Sequence, residues 1–286
     1  MTSYTGTFEP IDRIVIVGGG TAGWLSAAYL NQALKGSVHI TVVESDAIGP
    51  IGVGEATIPS LRLTMGFLGF RDSDWMPEVG ATYKSAIKFV NWCTCGPGGA
   101  THEYWHPFIS RPEPSVLPYH CPFAMGIGQR VSLLHYALKH RLDGESRAIQ
   151  QMLLPTQSLC EQHKAPINPL MPELSQEYAY HLDVTRLGEF LRQVATKRGV
   201  KRVVGHVTNV EHGGNGFITA VETKQENRLS ADLFIDCTGF RGLLLNDALG
   251  EGIPIFGMQL LTRPTSQIHS IANSSSSRAT FRFLTT

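Results

Sequence analysis

Residues Arg13 to Val17 (RIVIV) form a short, β-branched and almost wholly apolar run. With no polar alternation, this is the pattern of a strand buried on both faces of a parallel sheet. Gly18 to Gly20 interrupt it. From Thr21 to Leu34 the apolar positions Trp24, Leu25, Ala28 and Leu30 predict a helix, and Val38 to Val43 (VHITVV) predicts a second strand ending at Glu44. Strand, glycine turn, helix and strand compose one right-handed βαβ unit, which makes the fold class α/β.

Further along, Ala47 to Pro59 is rich in glycine and proline and reads as an extended loop. Apolar spacing becomes more regular from Phe67 to Trp92, with Ala86 to Trp92 as a strand. Cys95 to Pro122 is turn-rich, a long connection of the kind that forms lids or pocket walls. Helices are expected at Val131 to Leu142 and at Asp183 to Arg198, the latter with Asp183 as N-cap. Arg202 to Val210 and Phe217 to Lys224 read as a hairpin around GGNG, and Leu233 to Cys237 as another buried strand that turns at Thr238-Gly239 into Leu243 to Leu249. Beyond residue 257 a serine run and the lack of a packing pattern predict a poorly packed or disordered tail over 258–286.

Composition narrows the function classes. The chain has 286 residues, 42% hydrophobic and 17% charged, values of a globular protein. Lys plus Arg and Asp plus Glu both number 24, so charge makes no case for nucleic acid or an anionic membrane. Five cysteines without a C-x-x-C pair read as reduced thiols. No signal peptide and no membrane-length apolar run stand out, so a soluble, cytoplasmic protein is expected.

The strongest local signal is Gly18-x-Gly20-x-x-Gly23. Gly18 permits a tight turn, Gly20 lets the backbone approach a pyrophosphate, and Gly23 lets helix and strand pack closely. The helix N-terminus at Thr21 and Ala22 presents N–H groups and a positive dipole end to phosphate. Glu44, 21 residues after Gly23, stands where a carboxylate can hold a ribose diol. A dinucleotide is therefore expected. The downstream strand ADLFIDCTG at 231–239, returning towards such a sheet, favours FAD over NAD. His102-Glu103-Tyr104-Trp105-His106 matches the zinc signature H-E-x-x-H, which needs a stable helix with both histidines on one face. GPGG upstream and Pro107 directly after leave little room for one, and no metal site is expected. Lys84 and Lys88 stand in an apolar stretch, where a buried ammonium is costly and its pKa readily falls.

Taken together, IVIVGGGTAGWLSAAYL at 14–30, GVGEATIPSL at 52–61, YKSAIKFVNW at 83–92, HLDVTRLGEFLRQVATKRGVKRVV at 181–204 and ADLFIDCTGFRGLL at 231–244 resemble the flavin-dependent halogenases of the tryptophan halogenase type. The resemblance implies a Rossmann-like FAD-binding domain with a mixed sheet, of the GR2-type flavoprotein fold. It spans about residues 1–257, with a substrate-side insertion at about 95–180 and an incomplete substrate-binding part. It also implies the chemistry: a separate flavin reductase supplies FADH2, and with O2 and chloride or bromide a hypohalous acid forms and travels to tryptophan or a related aromatic. Lys84 is the residue that matches the lysine of the family, which holds the oxidised halogen; Lys88 does not match. Gly52, Val53, Gly54, Glu55, Ala56 and Thr57 are implied beside the flavin, with Glu55 and Thr57 near the halide path. His106 and Phe108 match a His and a Phe that flank the substrate ring.

The resemblance fades near Gly250, and the family's G-W-x-W-x-I-P motif, the glutamate that pairs with the lysine and most substrate-binding helices have no counterpart here. This implies an interrupted or truncated enzyme. Two alternatives stand beside the halogenase reading: another flavin-dependent monooxygenase, and a non-catalytic FAD-binding fragment. Oligomeric state, including a homodimer, stays open.

Overall fold

The computed structural model describes residues 10–47, 56–92, 103–108, 133–147, 151–152, 155–170, 175–225, 227–250 and 280–282. The chain divides into two compact units, one of residues 1–55, 64–80 and 182–263, the other of residues 56–63, 81–181 and 264–286.

In the first unit β1 (Arg13–Val17), α1 (Thr21–Ala33) and β2 (His39–Glu44) form the expected βαβ unit. Ile14, Val15, Ile16 and Val17 are all at most 3% exposed, so the strand is covered on both faces, which is why its sequence shows no alternation. α2 (Ser60–Phe67) carries the chain from one unit to the other, and the short α3 (Asp72–Trp75) buries Trp75.

The second unit, after residues 56–63, contains β3 (Thr82–Lys84), β4 (Ala86–Val90) and β5 (Glu103–Pro107), followed by α4 (Leu133–Leu142) and α5 (Thr156–Glu161). β6 (Ala179–His181) pairs antiparallel with β3, and β5 pairs antiparallel with β4. The stretch Glu103 to Pro107, read as turn-rich, is thus a strand. The H-E-x-x-H segment therefore cannot present the helical face a zinc site needs, because Glu103 and His106 point to opposite sides of the strand. His102 lies outside the described residues.

α6 (Val184–Lys197) returns the chain to the first unit. Asp183 caps it as expected, its carboxylate accepting the N–H of Thr185 and of Arg186. Leu187, Leu191 and Ala195 recur at spacing four and are at most 3% exposed, forming the stripe that packs on α1. Burying each leucine contributes about 1.5–3 kcal/mol.

β7 (Lys201–Val204), β8 (Val207–His212), β9 (Ile218–Thr223), β10 (Arg228–Ser230) and β11 (Leu233–Asp236) complete the unit. One expectation is corrected here. Arg202 to Val204 do not belong to the hairpin; β7 pairs parallel with β2, Thr41 opposite Lys201 and Glu44 opposite Val204. Gly205 ends β7, its N–H donated to the Glu44 carbonyl, and the hairpin starts only at Val207. The main sheet has the order β11-β1-β2-β7, and every pairing in it is parallel. The expected mixture of strand directions is distributed between sheets: β10-β9-β8 is antiparallel and separate. Val15, Val17 and Val43 pack with Val207, Val221, Leu243 and Leu244 in one apolar cluster.

β12 (Thr280–Arg282) pairs antiparallel with β4, Phe281 opposite Phe89. The rest of the expected tail lies outside the described residues. No helix among the described residues is long and apolar enough to cross a membrane.

Candidate functional site

The first site is the turn between β1 and α1, where each glycine of the motif has its own steric reason. Gly18 has φ +109°, the left-handed region, and a Cβ there would run into the Cys237 carbonyl. Gly23 is buried against the Gly18 carbonyl oxygen, so a Cβ would force helix and strand apart. Gly20 differs: a Cβ there would meet nothing within 4 Å. The middle glycine thus borders open space, at the N-cap of α1, and among the described residues no side chain caps that helix end. Open space, uncapped N–H groups and the positive end of a 13-residue helix fit a pyrophosphate. Ala22 is exposed on the first turn. Thr21 donates its hydroxyl to the Val184 carbonyl at 3.1 Å, tying the starts of α1 and α6 together.

Glu44 ends β2 as expected, its carboxylate lying under Gly19, where a Cβ would overlap it. The carboxylate accepts the Trp24 indole N–H at 3.0 Å and the Arg202 guanidinium Nε–H, with Arg192 at 3.9 Å. Arg202, which also bonds Asp46 at 2.8 Å, has its pKa raised, chiefly by the hydrogen bond to Glu44. This places a carboxylate fixed by Trp24 and Arg202 beside the glycine turn. Trp24, only 1% exposed, is a positioning residue that periodicity alone presents as a core aromatic.

The return strand β11 lies against β1, Asp236 opposite Val17, and Cys237 donates its N–H to the Val17 carbonyl at 2.7 Å. Asp236 organises the turn that follows. One carboxylate oxygen accepts Thr238 N–H at 3.0 Å and its hydroxyl at 2.6 Å; the other accepts Leu244 and Leu245 N–H at 2.7 and 3.0 Å. The start of the short wide helical turn Leu243–Ala248 is therefore capped from the strand. The ADLFIDCTG pattern located this strand but not the aspartate's task.

The second unit holds Lys84. The residue is only 4% exposed, and Nζ donates to the Thr57 carbonyl at 2.9 Å. The Phe108 ring centroid is 5.5 Å from Nζ, so the expected lysine and one of the two expected substrate residues meet. His106 sits one step away on β5, opposite Ile87, its ring edge-on to Phe89 at 6.5 Å. Burial pushes the Lys84 pKa down. On the β3–β6 pair Lys84 faces Ala179 and Thr82 faces His181, so Lys84 and His181 are diagonal neighbours on one face. Burial, and secondarily the Lys84 charge, lowers the His181 pKa and keeps that imidazole neutral at pH 7. His181 is a residue that sequence reasoning passed over, although it opens the HLDVTRL stretch. Lys88 is different: it pairs with Glu103 at 2.6 Å, and its side chain is 23% exposed.

Ala56 forms an antiparallel bridge with His181, and Thr57 is hydrogen-bonded to Tyr180 through both backbone and hydroxyl. Gly52, Val53, Gly54 and Glu55, expected beside the flavin, lie outside the described residues. Among the described residues no cluster of three or more His, Cys, Asp or Glu could hold a metal ion.

Comparison with known proteins identifies the family. The family model for tryptophan halogenase matches residues 13–275, reaching past Gly250, where the motif resemblance fades. Tryptophan 6-halogenase ThaL of Streptomyces albogriseolus is 40% identical over 253 residues, which cover 84% of this chain and 45% of that protein. Tryptophan 7-halogenase RebH of Lentzea aerocolonigenes is 38% identical over 259 residues, with 84% and 45% covered. The solved structure of BrvH, a flavin-dependent halogenase from Brevundimonas sp. BAL3, matches with a TM-score of 0.66 at 35% identity, over 85% of this chain and 45% of that one. The chain thus spans just under half the length of these relatives. With a family match across most of its length, a glycine cradle for a dinucleotide and a buried lysine in the YK-x-AIKF stretch, this chain belongs to the tryptophan halogenase family.

Proposed function

We propose that this chain carries the flavin-binding and lysine-bearing parts of an FADH2- and O2-dependent halogenase acting on tryptophan or a related aromatic. The observation that carries the reading is Lys84: a residue only 4% exposed, its ammonium held by one carbonyl and facing an aromatic ring. Gly20 and the first turn of α1 would hold the pyrophosphate of a flavin and Glu44 its adenosine ribose; once reduced by a separate reductase, that flavin would supply an oxidised halogen from chloride or bromide and O2. The Lys84 ammonium donates a hydrogen bond to hypohalous acid, polarising the O–halogen bond and fixing the electrophile in place. Burial of Lys84 limits the bulk water that reaches this hydrogen bond. Phe108 and His106 flank the aromatic substrate. The protein works in the cytoplasm beside its reductase.

The chain's coverage of only 45% of its relatives favours a second reading, a flavin-binding module that does not turn over by itself. One experiment separates them: the purified chain with FAD, a flavin reductase, NADH, tryptophan and either chloride, bromide or no halide. Halogenated product that appears only with halide supports the enzyme. Hydroxylated product without halide refutes the halogenase reading, and bound FAD with no product in any mixture establishes the second reading.

A further inference from the structure

The contacts around Thr57 contain an exchange of hydrogen-bond partners. In a regular antiparallel pair, two facing residues exchange both N–H···O=C bonds. Thr57 and Tyr180 make only half of that exchange. Thr57 N–H donates to the Tyr180 carbonyl at 2.9 Å, as a ladder requires. The Tyr180 N–H, however, donates to the Thr57 hydroxyl oxygen at 2.9 Å rather than to the Thr57 carbonyl. That hydroxyl in turn donates to the Tyr180 carbonyl at 3.1 Å. The side chain has taken the place of its own carbonyl in the ladder, and the displaced carbonyl oxygen accepts Lys84 Nζ at 2.9 Å.

We infer that Thr57 is the positioning residue for Lys84: its hydroxyl substitutes in the ladder so that its carbonyl is released to orient the lysine ammonium. The inference rests on reading Lys84 as the halogen-directing residue. Physically, a buried Tyr180 N–H must find an acceptor. If the hydroxyl is removed, the nearest replacement is the Thr57 carbonyl itself, which then closes the ladder and leaves Lys84 without its acceptor. Among the described residues the titratable group that feels the lysine charge is His181 on β6, held neutral, while Cys160 on α5 has its thiol pKa pushed up, chiefly by burial. No ion pair to Lys84 occurs among the described residues, so its charged form is favoured by the Thr57 carbonyl and by the face of the Phe108 ring, and of these only the carbonyl is a hydrogen-bond acceptor.

Thr57→Val keeps the shape and removes the hydroxyl; Thr57→Ser keeps the hydroxyl. The chain and both variants are labelled with acetic anhydride across a pH series, and Lys84 acetylation is followed by peptide mass mapping, with Lys88 as internal reference. A lysine that loses its acceptor in a buried site releases its proton more readily. Thr57→Val is therefore expected to raise Lys84 labelling at fixed pH at least about threefold and to move its pH profile downwards, since a hydrogen bond to a charged group is among the stronger kinds. Lys88 labelling stays near wild type, the melting temperature near neutrality falls by only a few degrees as the lost hydrogen bond requires, and Thr57→Ser behaves as wild type. An unchanged Lys84 profile in Thr57→Val, or the same change in Thr57→Ser, overturns the inference. Labelling needs no turnover, so it reports on the clamp even where halogenation fails; a product assay on the same variants reports on the function of Lys84 separately.

Discussion

The three glycines of the first turn allow fold and binding to be separated by single methyl groups. At Gly20 the added methyl meets no atom within 4 Å, and the backbone is at φ −73°, ψ −176°, where any residue is comfortable. Gly20→Ala therefore changes stability by less than about 1 kcal/mol, because alanine's poorer N-cap preference is offset by the lower entropy of its unfolded chain. At Gly23 the same methyl overlaps the Gly18 carbonyl oxygen, which is backbone and cannot turn aside. Overpacking of this kind costs about 1–3 kcal/mol. For a chain of this size that lowers Tm by roughly 2–12 °C. For FAD the order reverses. The open space at Gly20 is where the pyrophosphate sits in this account, and displacing it breaks at least one charge-assisted bond worth about 1.5–3 kcal/mol. Affinity then falls about tenfold or more. Isothermal titration with FAD and differential scanning calorimetry on both variants give the answer. Undiminished FAD affinity in Gly20→Ala, or a Tm loss equal to that of Gly23→Ala, refutes the reasoning.

Three further outcomes are expected. Trp24→Phe removes the indole donor that fixes Glu44 and weakens FAD binding by about tenfold, by the scale of a hydrogen bond to a charged group, as read by titration. Asp236→Asn deprives one of the two ends of its multiple N–H and O–H bonds of an acceptor, lowering stability by about 1–3 kcal/mol in a denaturant titration. Lys84→Met changes the pH dependence of stability. Because burial lowers the folded-state pKa, the unfolded chain binds more protons between the folded value and the ordinary 10.5. Wild-type stability therefore recovers as pH rises through that window, and the Tm advantage of Lys84→Met, largest near neutrality, narrows. A gap that stays constant or widens with pH contradicts the burial argument.

The βαβ unit was legible because its signals are local: an apolar run, three glycines with distinct tasks, and an acid at the end of the second strand. The hairpin was misjudged at its start because Arg202 to Val204 and Val207 to Val210 are nearly continuous in sequence. Only β2, 158 positions from Arg202 at Glu44, decides that the first piece joins the parallel sheet. Similarly, spacing could not distinguish Lys84 from Lys88. Ser85 separates β3 from β4, so the two lysines fall in different sheets, one buried against Thr57 and the other paired with Glu103. The Thr57 hydroxyl is engaged with a peptide 123 positions away, a pairing no local pattern encodes. The H-E-x-x-H string shows the converse: a strong motif is emptied of meaning when its backbone is a strand.

The halogenase account depends most on Lys84, and the chain contains its own control. Lys84→Ala and Lys88→Ala, assayed with FAD, reductase, tryptophan and chloride, should differ sharply. Halogenated product should vanish in Lys84→Ala and persist in Lys88→Ala, with FAD affinity equal to wild type in both. Product that survives the loss of Lys84, or falls equally in the two variants, contradicts the account.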